Sequence, residues 1–267
     1  MQNRDIIYSY DGSFEGFLSC VFESFAHKEI PADIVSEKSP QIPLFDSIKI
    51  ATDIKKAERL SKSLLNKFDF DVFCLVQNSF FSCLSNKETL ILDFIHKLYK
   101  NGIKIKNDLT DNTILTLTKA SEYLEGEAHL YKGFVRFKEH KGILLAIIKP
   151  KNSVLHILVH HFIQRLPKEK FLIYDETNNL LCAYSDGKYA ISETEKLIMP
   201  QTTAAEKSYQ TLWQKFYDTI AIKERTNHKL RQNLMPKRYW SHLTEMETKT
   251  PFKRNRAPDF NLFSKKG

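Results

Sequence analysis

Three histidines, His156, His160 and His161, crowd one short stretch of the chain. His156 and His160 are four residues apart, the spacing that sets two imidazoles on one helix face as a metal site requires. A zincin pattern would place a Glu directly after the first His, but Ile157, Leu158 and Val159 stand there. A third ligand would have to come from elsewhere, and no metal is assigned. His161 and Arg165 share a face in the same way, and an imidazole beside a guanidinium can bind a phosphate or polarise a carbonyl. The plainer reading is a polar edge beside the apolar stripe Leu155, Leu158, Val159, Phe162 and Leu166. Glu127, His129 and Asp175 lie next to the ends of expected strands, where side chains from separate elements can converge on a proton. Carboxylates at such positions also cap turns.

Other chemistry is thin. Cys20, Cys74, Cys83 and Cys182 form no C-x-x-C pair and no iron–sulfur cluster pattern, and read as reduced thiols. Glycine-rich phosphate loops, the nucleophile elbow and the zinc-deaminase signature are absent. No cofactor of the chain's own is expected.

Charge is more informative. The chain carries 40 Lys+Arg against 32 Asp+Glu. Residues 223–267 hold 12 of the cations and only 4 of the acids, so the net +8 of the whole chain resides in this one segment. A basic segment is the electrostatic footprint of a polyanion binder, because Lys and Arg release counterions from a phosphate backbone. Lys223, Arg225, Lys229, Arg231, Lys237 and Arg238 are the candidate phosphate contacts. Tyr239 and Trp240 directly follow the last two, as stacking surfaces for unpaired bases or as anchors of a terminal helix.

These residues need elements to position them. With 267 residues and 42% hydrophobic composition the chain can bury real cores. No window is long and apolar enough to span a bilayer and the amino terminus lacks signal-peptide character, so a cytoplasmic location without membrane contact is expected. Ile6–Tyr10 reads as a strand, Asp11-Gly12 as a turn and Ser13 as the cap of a helix through Phe25. Residues 30–46, with Pro31, Pro40 and Pro43, read as a connecting segment before a short strand at Ser47–Ala51. A helical pattern runs from Asp53 to about Gly126. Strands are expected at Leu130–Glu139 and Ile143–Lys149, a helix at Val154–Leu166, and strands at Phe171–Asp175 and Leu180–Tyr184. Helices at Ala204–Ile222, Asn227–Leu234 and Lys237–Leu243 close the chain. The class is therefore α+β: a helix-rich N-terminal part, a β-β-α-β-β segment and C-terminal helices. The expected division is a helical lobe over 1–126, an α+β lobe over 127–248 and a mobile basic tail over 249–267.

Four stretches together carry a resemblance: Tyr10-Asp11-Gly12-Ser13-Phe14-Glu15-Gly16-Phe17-Leu18, Glu127 through Phe137, His161-Phe162-x-x-Arg165, and Met235-Pro236-Lys237-Arg238-Tyr239-Trp240. Over roughly residues 5–243 the chain resembles a bacterial DNA-repair or DNA-metabolism family that contains a conserved domain of unknown function. Members of that family commonly have Arg after the His of the second stretch, where this chain has Leu130. The resemblance implies a DNA-binding accessory protein, usually encoded beside a radical S-adenosylmethionine protein. The iron–sulfur cluster and S-adenosylmethionine would then reside on that partner. Two other readings stand beside it. One is a glycosylase-like enzyme acting on a damaged base with His161, Arg165, Glu127, His129 and Asp175 around its pocket. The other is a docking module that touches its protein partner and not DNA.

Overall fold

Burial of Ile7, Tyr8 and Tyr10 marks the half of β1 (Gln2–Tyr10) that faces the first core. This computed structural model describes residues 2–38, 46–194, 202–222 and 226–246. Asp11-Gly12 turns the chain into α1 (Phe14–His27), where Ser13 Oγ accepts the Gly16 N–H at 3.0 Å and Phe17, Leu18 and Val21 are buried. The chain then returns as β2 (Glu29–Ser36), parallel to β1, and β3 (Ser47–Lys49) pairs parallel on the other side, giving the order β2-β1-β3. The expected connecting segment is thus corrected over its first part. Pro31 does not prevent a strand because β2 is an edge, where a missing N–H is tolerated. Pro40 and Pro43 fall outside the described residues.

Four helices complete this part: α2 (Ile54–Lys67), α3 (Phe70–Phe81), α4 (Lys87–Asn101) and α5 (Asn112–Phe134), with a 3₁₀ turn over Ile103–Asn107 before the last. Ala57, Leu60 and Leu64 of α2 and Ile91, Phe94, Ile95 and Leu98 of α4 are buried at helical spacing, as their pattern requires. The strand expected from Leu130 is corrected. Ile114, Leu117, Leu124, Ala128 and Tyr131 continue one buried helical face, so α5 runs unbroken through position 126 to Phe134.

A second sheet follows, ordered β4-β5-β6-β7-β8: β4 (Lys138–His140), β5 (Ile143–Ile148), β6 (Lys170–Asp175), β7 (Leu180–Ser185) and β8 (Lys188–Glu193). The pairs are antiparallel except β5–β6, which are parallel and joined by the crossover helix α6 (Leu155–Arg165). Lys141-Gly142 and Asp186-Gly187 have positive φ at both residues, the backbone that two-residue hairpin turns demand. The second of these turns adds β8 to the four expected strands. Three further helices are α7 (Ala204–Ile220), α8 (His228–Leu234) and a 3₁₀ helix at Lys237–His242. The class is mixed α+β with helices at both ends and a strand-rich middle.

Two cores form on α5. Leu117 and residues before it pack with β1, α1 and the following helices. Leu124, Ala128 and Tyr131 pack with α6, the second sheet and Tyr239. Among the described residues no helix is long and apolar enough to cross a membrane.

Candidate functional site

In open α/β sheets ligand sites gather at the carboxyl ends of parallel strands, and here two of the acid–base candidates lie near the ends of β5 and β6, each with its own partners. Glu127 points from α5 toward the turn that follows β5, with only 1% of its side-chain surface exposed. Its Oε2 accepts the backbone N–H groups of Lys151 and Asn152 at 3.1 and 2.8 Å and the Asn152 side-chain amide at 2.7 Å. Its Oε1 accepts the Lys151 N–H at 3.1 Å and lies 3.1 Å from Arg238 Nη2. Arg238 also donates to the hydroxyls of Tyr239 at 2.6 Å and Tyr123 at 3.3 Å. Burial works against its charge, but the Tyr123 hydrogen bond and the Glu127 carboxylate outweigh it and raise its pKa. A buried carboxylate is thereby neutralised and fully hydrogen-bonded.

Asp175 ends β6 and is fully buried. Its Oδ1 accepts the N–H groups of Thr177 and Asn178 at 3.0 and 3.1 Å, and its Oδ2 accepts the Asn178 side-chain amide at 2.7 Å. Burial pushes its carboxyl up to about 6; the Asn178 and Thr177 hydrogen bonds pull the other way, and the charge of Glu127 adds to the rise. Both carboxylates therefore hold turns, Glu127 the Pro150-Lys151-Asn152 turn and Asp175 the turn into β7. Neither presents an unbonded oxygen, which a general base needs before it can take a proton.

The remaining catalytic candidates lie elsewhere. His129 sits on the exposed side of α5, two residues from Glu127 and so on a different face. Helix α6 runs back from the carboxyl end of β5 toward the start of β6, which carries His161 and Arg165 away from Glu127 and Asp175. Arg165 is exposed, and the charged form of His161 is disfavoured first by burial and then by Lys132 and Arg165. The His156 ring packs on Phe81 at 4.2 Å, and burial lowers its pKa to about 4, which keeps it neutral. His160 instead turns its ring toward Tyr189, 5.7 Å away. Among the described residues no three His, Cys, Asp or Glu side chains gather as a metal site would need. Burial also pushes the Cys20 thiol up to about 12, which keeps it an unreactive apolar group.

Of the candidate phosphate contacts, Lys229 and Lys237 are exposed, Arg231 is half-buried, and Arg238 is engaged with Glu127. Lys223 and Arg225 lie outside the described residues, as does the expected tail. Tyr239 and Trp240 are buried. Tyr239 packs on Tyr131 and Phe134 at ring distances of 4.8 and 5.2 Å, and Trp240 Nε1 donates to the Met235 carbonyl at 2.9 Å. Of the two readings of this pair, the placement is that of anchors. Sequence reasoning passed over Asn152 and Tyr131. The turn residues Pro150-Lys151-Asn152-Ser153 directly after an apolar strand were the available signal.

A family model described as a domain of unknown function, DUF4130, matches residues 85–245, more than half of the chain. The chain belongs to the DUF4130 family. The DUF4130 region contains α4 and α5, the whole second sheet and the helices after it, and therefore the partners described above for Glu127, Arg238 and Asp175. Its last matched residue, Glu245, is itself paired with Arg136 at 2.8 Å. No curated protein and no solved structure matches the chain.

Proposed function

We propose that this DUF4130 protein is a nucleic-acid-binding accessory protein of DNA repair or DNA metabolism, acting beside a radical S-adenosylmethionine enzyme. That partner would carry the iron–sulfur cluster and the S-adenosylmethionine. The carrying observation is the segregation of charge: residues 223–267 hold 12 Lys+Arg and 4 Asp+Glu, while the rest of the chain is balanced. Such a segment gains affinity for a phosphate backbone by releasing counterions. Lys229 and Lys237 are free to make such contacts at the surface. The resemblance supplies the partner and the DNA. The glycosylase-like alternative draws less support, because His129, His161 and Arg165 lie apart from Glu127 and Asp175, and every oxygen of the two carboxylates already accepts a hydrogen bond.

The test is fluorescence anisotropy of labelled single-stranded DNA, double-stranded DNA and RNA across a salt series. The wild type is compared with a variant carrying Gln at Lys223, Arg225, Lys229, Arg231 and Lys237. Arg238 is kept because it neutralises buried Glu127. The salt slope is expected to shrink by about 0.7–0.9 for each phosphate that the variant no longer neutralises. Absence of binding at low salt, or an unchanged slope in the folded variant, would refute this reading.

A further inference from the structure

The face of the second sheet opposite α6 borders a small cavity. Across β4 and β5 the register sets Lys138 beside Leu145 and His140 beside Ile143, so these side chains share one face, with Ile147 two residues further on. Leu144, Ala146 and Ile148 point the other way, into the core with α6. The start of α7 covers the free edge of β4, where Glu206 Oε2 accepts the Glu139 N–H at 3.0 Å and Oε1 accepts the Gln210 side-chain amide at 2.7 Å. Ser241 and His242 of the 3₁₀ helix complete the wall. The cavity measures about 170 Å³, below the ~300–1,000 Å³ of pockets for drug-sized molecules, and so fits one small ring system.

Two groups in this wall keep unused hydrogen-bonding capacity. Glu206 is only 7% exposed, and among the described residues its oxygens are served by the neutral Glu139 N–H and Gln210 amide. A carboxylate oxygen has two lone pairs, so each keeps one for a further donor. His140 Nδ1 is buried and has no hydrogen-bond partner, and by its tautomer it can donate or accept. The charge of the wall selects what can enter. Arg136 is spent on Glu245, through Nε at 3.3 Å and Nη2 at 2.8 Å. Histidines aside, the remaining ionised side chains are Lys138 against Glu139 and Glu206, which disfavours a phosphate. A bare ammonium would leave Leu145 and Ile147 uncovered. A planar ring that lies on these two side chains and turns an amino edge to Glu206 and a ring nitrogen to His140 satisfies every group. Cytosine, adenine and guanine carry such an edge, and a carboxylate is the ordinary acceptor for the cytosine amine; thymine has a carbonyl oxygen in its place.

We propose that this cavity binds a single amino-bearing nucleobase. The source of the base rests on the nucleic-acid reading above, on which it would be turned out of a strand; the chemistry of the cavity does not involve the basic segment. Titration of the full chain with free cytidine, adenosine, guanosine and thymidine, followed by histidine ring NMR, tests it without DNA. The His140 resonance is identified by its loss in His140→Phe. It should shift saturably with at least one of the three amino nucleosides, and thymidine should bind about 10-fold more weakly or worse. Glu206→Gln, which still accepts the Glu139 N–H, should weaken the amino nucleoside by about 10-fold. The comparison among nucleosides uses the unaltered chain and stands even where that variant does not fold. No saturable shift with any nucleoside, thymidine binding as well as the others, or a folded Glu206→Gln of unchanged affinity overturns the proposal. Guanidinium chloride that saturates the same shift as tightly as the nucleoside also overturns it, since the cavity is then a simple cation site. DNA binding through the basic segment with no nucleoside shift sinks the cavity alone; nucleoside binding without DNA binding upholds the site and refutes the nucleic-acid reading.

Discussion

Buried carboxylates cost folding free energy unless hydrogen bonds and counter-charges replace the water they lose, and the two here are served differently. Glu127 has Arg238; Asp175 has only N–H donors, and its pKa accordingly rises from 3.8 to about 6. Between those values the folded chain holds a proton that the unfolded chain has released. The contribution of Asp175 to stability is therefore full below pH 4 and is lost as pH rises through 6. Asp175→Asn keeps an oxygen for the Thr177 and Asn178 N–H groups and removes the titration. Measured by urea unfolding, wild-type stability relative to this variant should fall by about 1 kcal/mol per pH unit from pH 4 to pH 6. A flat difference over that range would show that Asp175 is ionised throughout. Glu127 and Asp175 were legible in the sequence as carboxylates beside strand ends. That they could cap turns was legible too, but the partners of Glu127 were not, because Asn152 and Arg238 reach it from distant parts of the chain.

At the scale of elements, the motif Asp11-Gly12-Ser13-Phe14-Glu15-Gly16 is a turn and a helix start. Asp11 accepts from the Ser13 N–H at 2.9 Å, the Ser13 hydroxyl at 2.6 Å and the Thr52 hydroxyl at 2.8 Å. This knot passes so close to α1 that a Cβ on Gly16 would stand 2.3 Å from Asp11 Oδ1 and 2.8 Å from Thr52 Oγ1. In an open helix Gly→Ala stabilises by about 1 kcal/mol. Gly16→Ala should instead destabilise by about 1–3 kcal/mol, because the crowded oxygens must move. Gly126→Ala, where nothing lies within 4 Å, should show the ordinary gain. Thermal unfolding of the two variants gives opposite signs if the crowding is real. Element types were largely readable from periodicity, with three exceptions, one being β8, of which only the turn before it was read. Strand β2 was hidden by Pro31, which only an edge position excuses. The last turns of α5 were hidden by Gly126 and the aromatic run after it, although Ala128 and Tyr131 continue the helical face.

Across the whole molecule, the two cores share α5 and a second contact at the end of α3. There the Ser153 N–H donates to the Phe81 carbonyl at 2.8 Å and the Cys83 N–H to Asn152 Oδ1 at 2.9 Å. Asn152 is fully buried and links that loop to Glu127. Asn152→Ala should cost about 2–3 kcal/mol, since it leaves a carboxylate and an N–H short of partners. It should also loosen the coupling. In the wild type, fluorescence from Trp213 and Trp240, both on the second-core side, should fall in one urea transition with the helical circular dichroism signal. In Asn152→Ala the fluorescence should fall first. Coincident transitions in the variant would mean that α5 alone couples the cores.

The α+β class, the order of nearly all the helices and strands, and the concentration of positive charge after Ile222 can be read from the amino-acid order without coordinates. Each is a local property, carried by periodicity, turn chemistry and composition within a few residues. Which side chains meet was set by long-range packing. It turned Arg238 inward to Glu127, buried Tyr239 and Trp240, set His161 and Arg165 apart from the two carboxylates, and left Tyr209, Leu212, Phe216 and Ile220 of α7 exposed. These outcomes depend on which faces pack together across long separations in the chain, and helical spacing alone does not say whether an apolar stripe meets a core or the solvent.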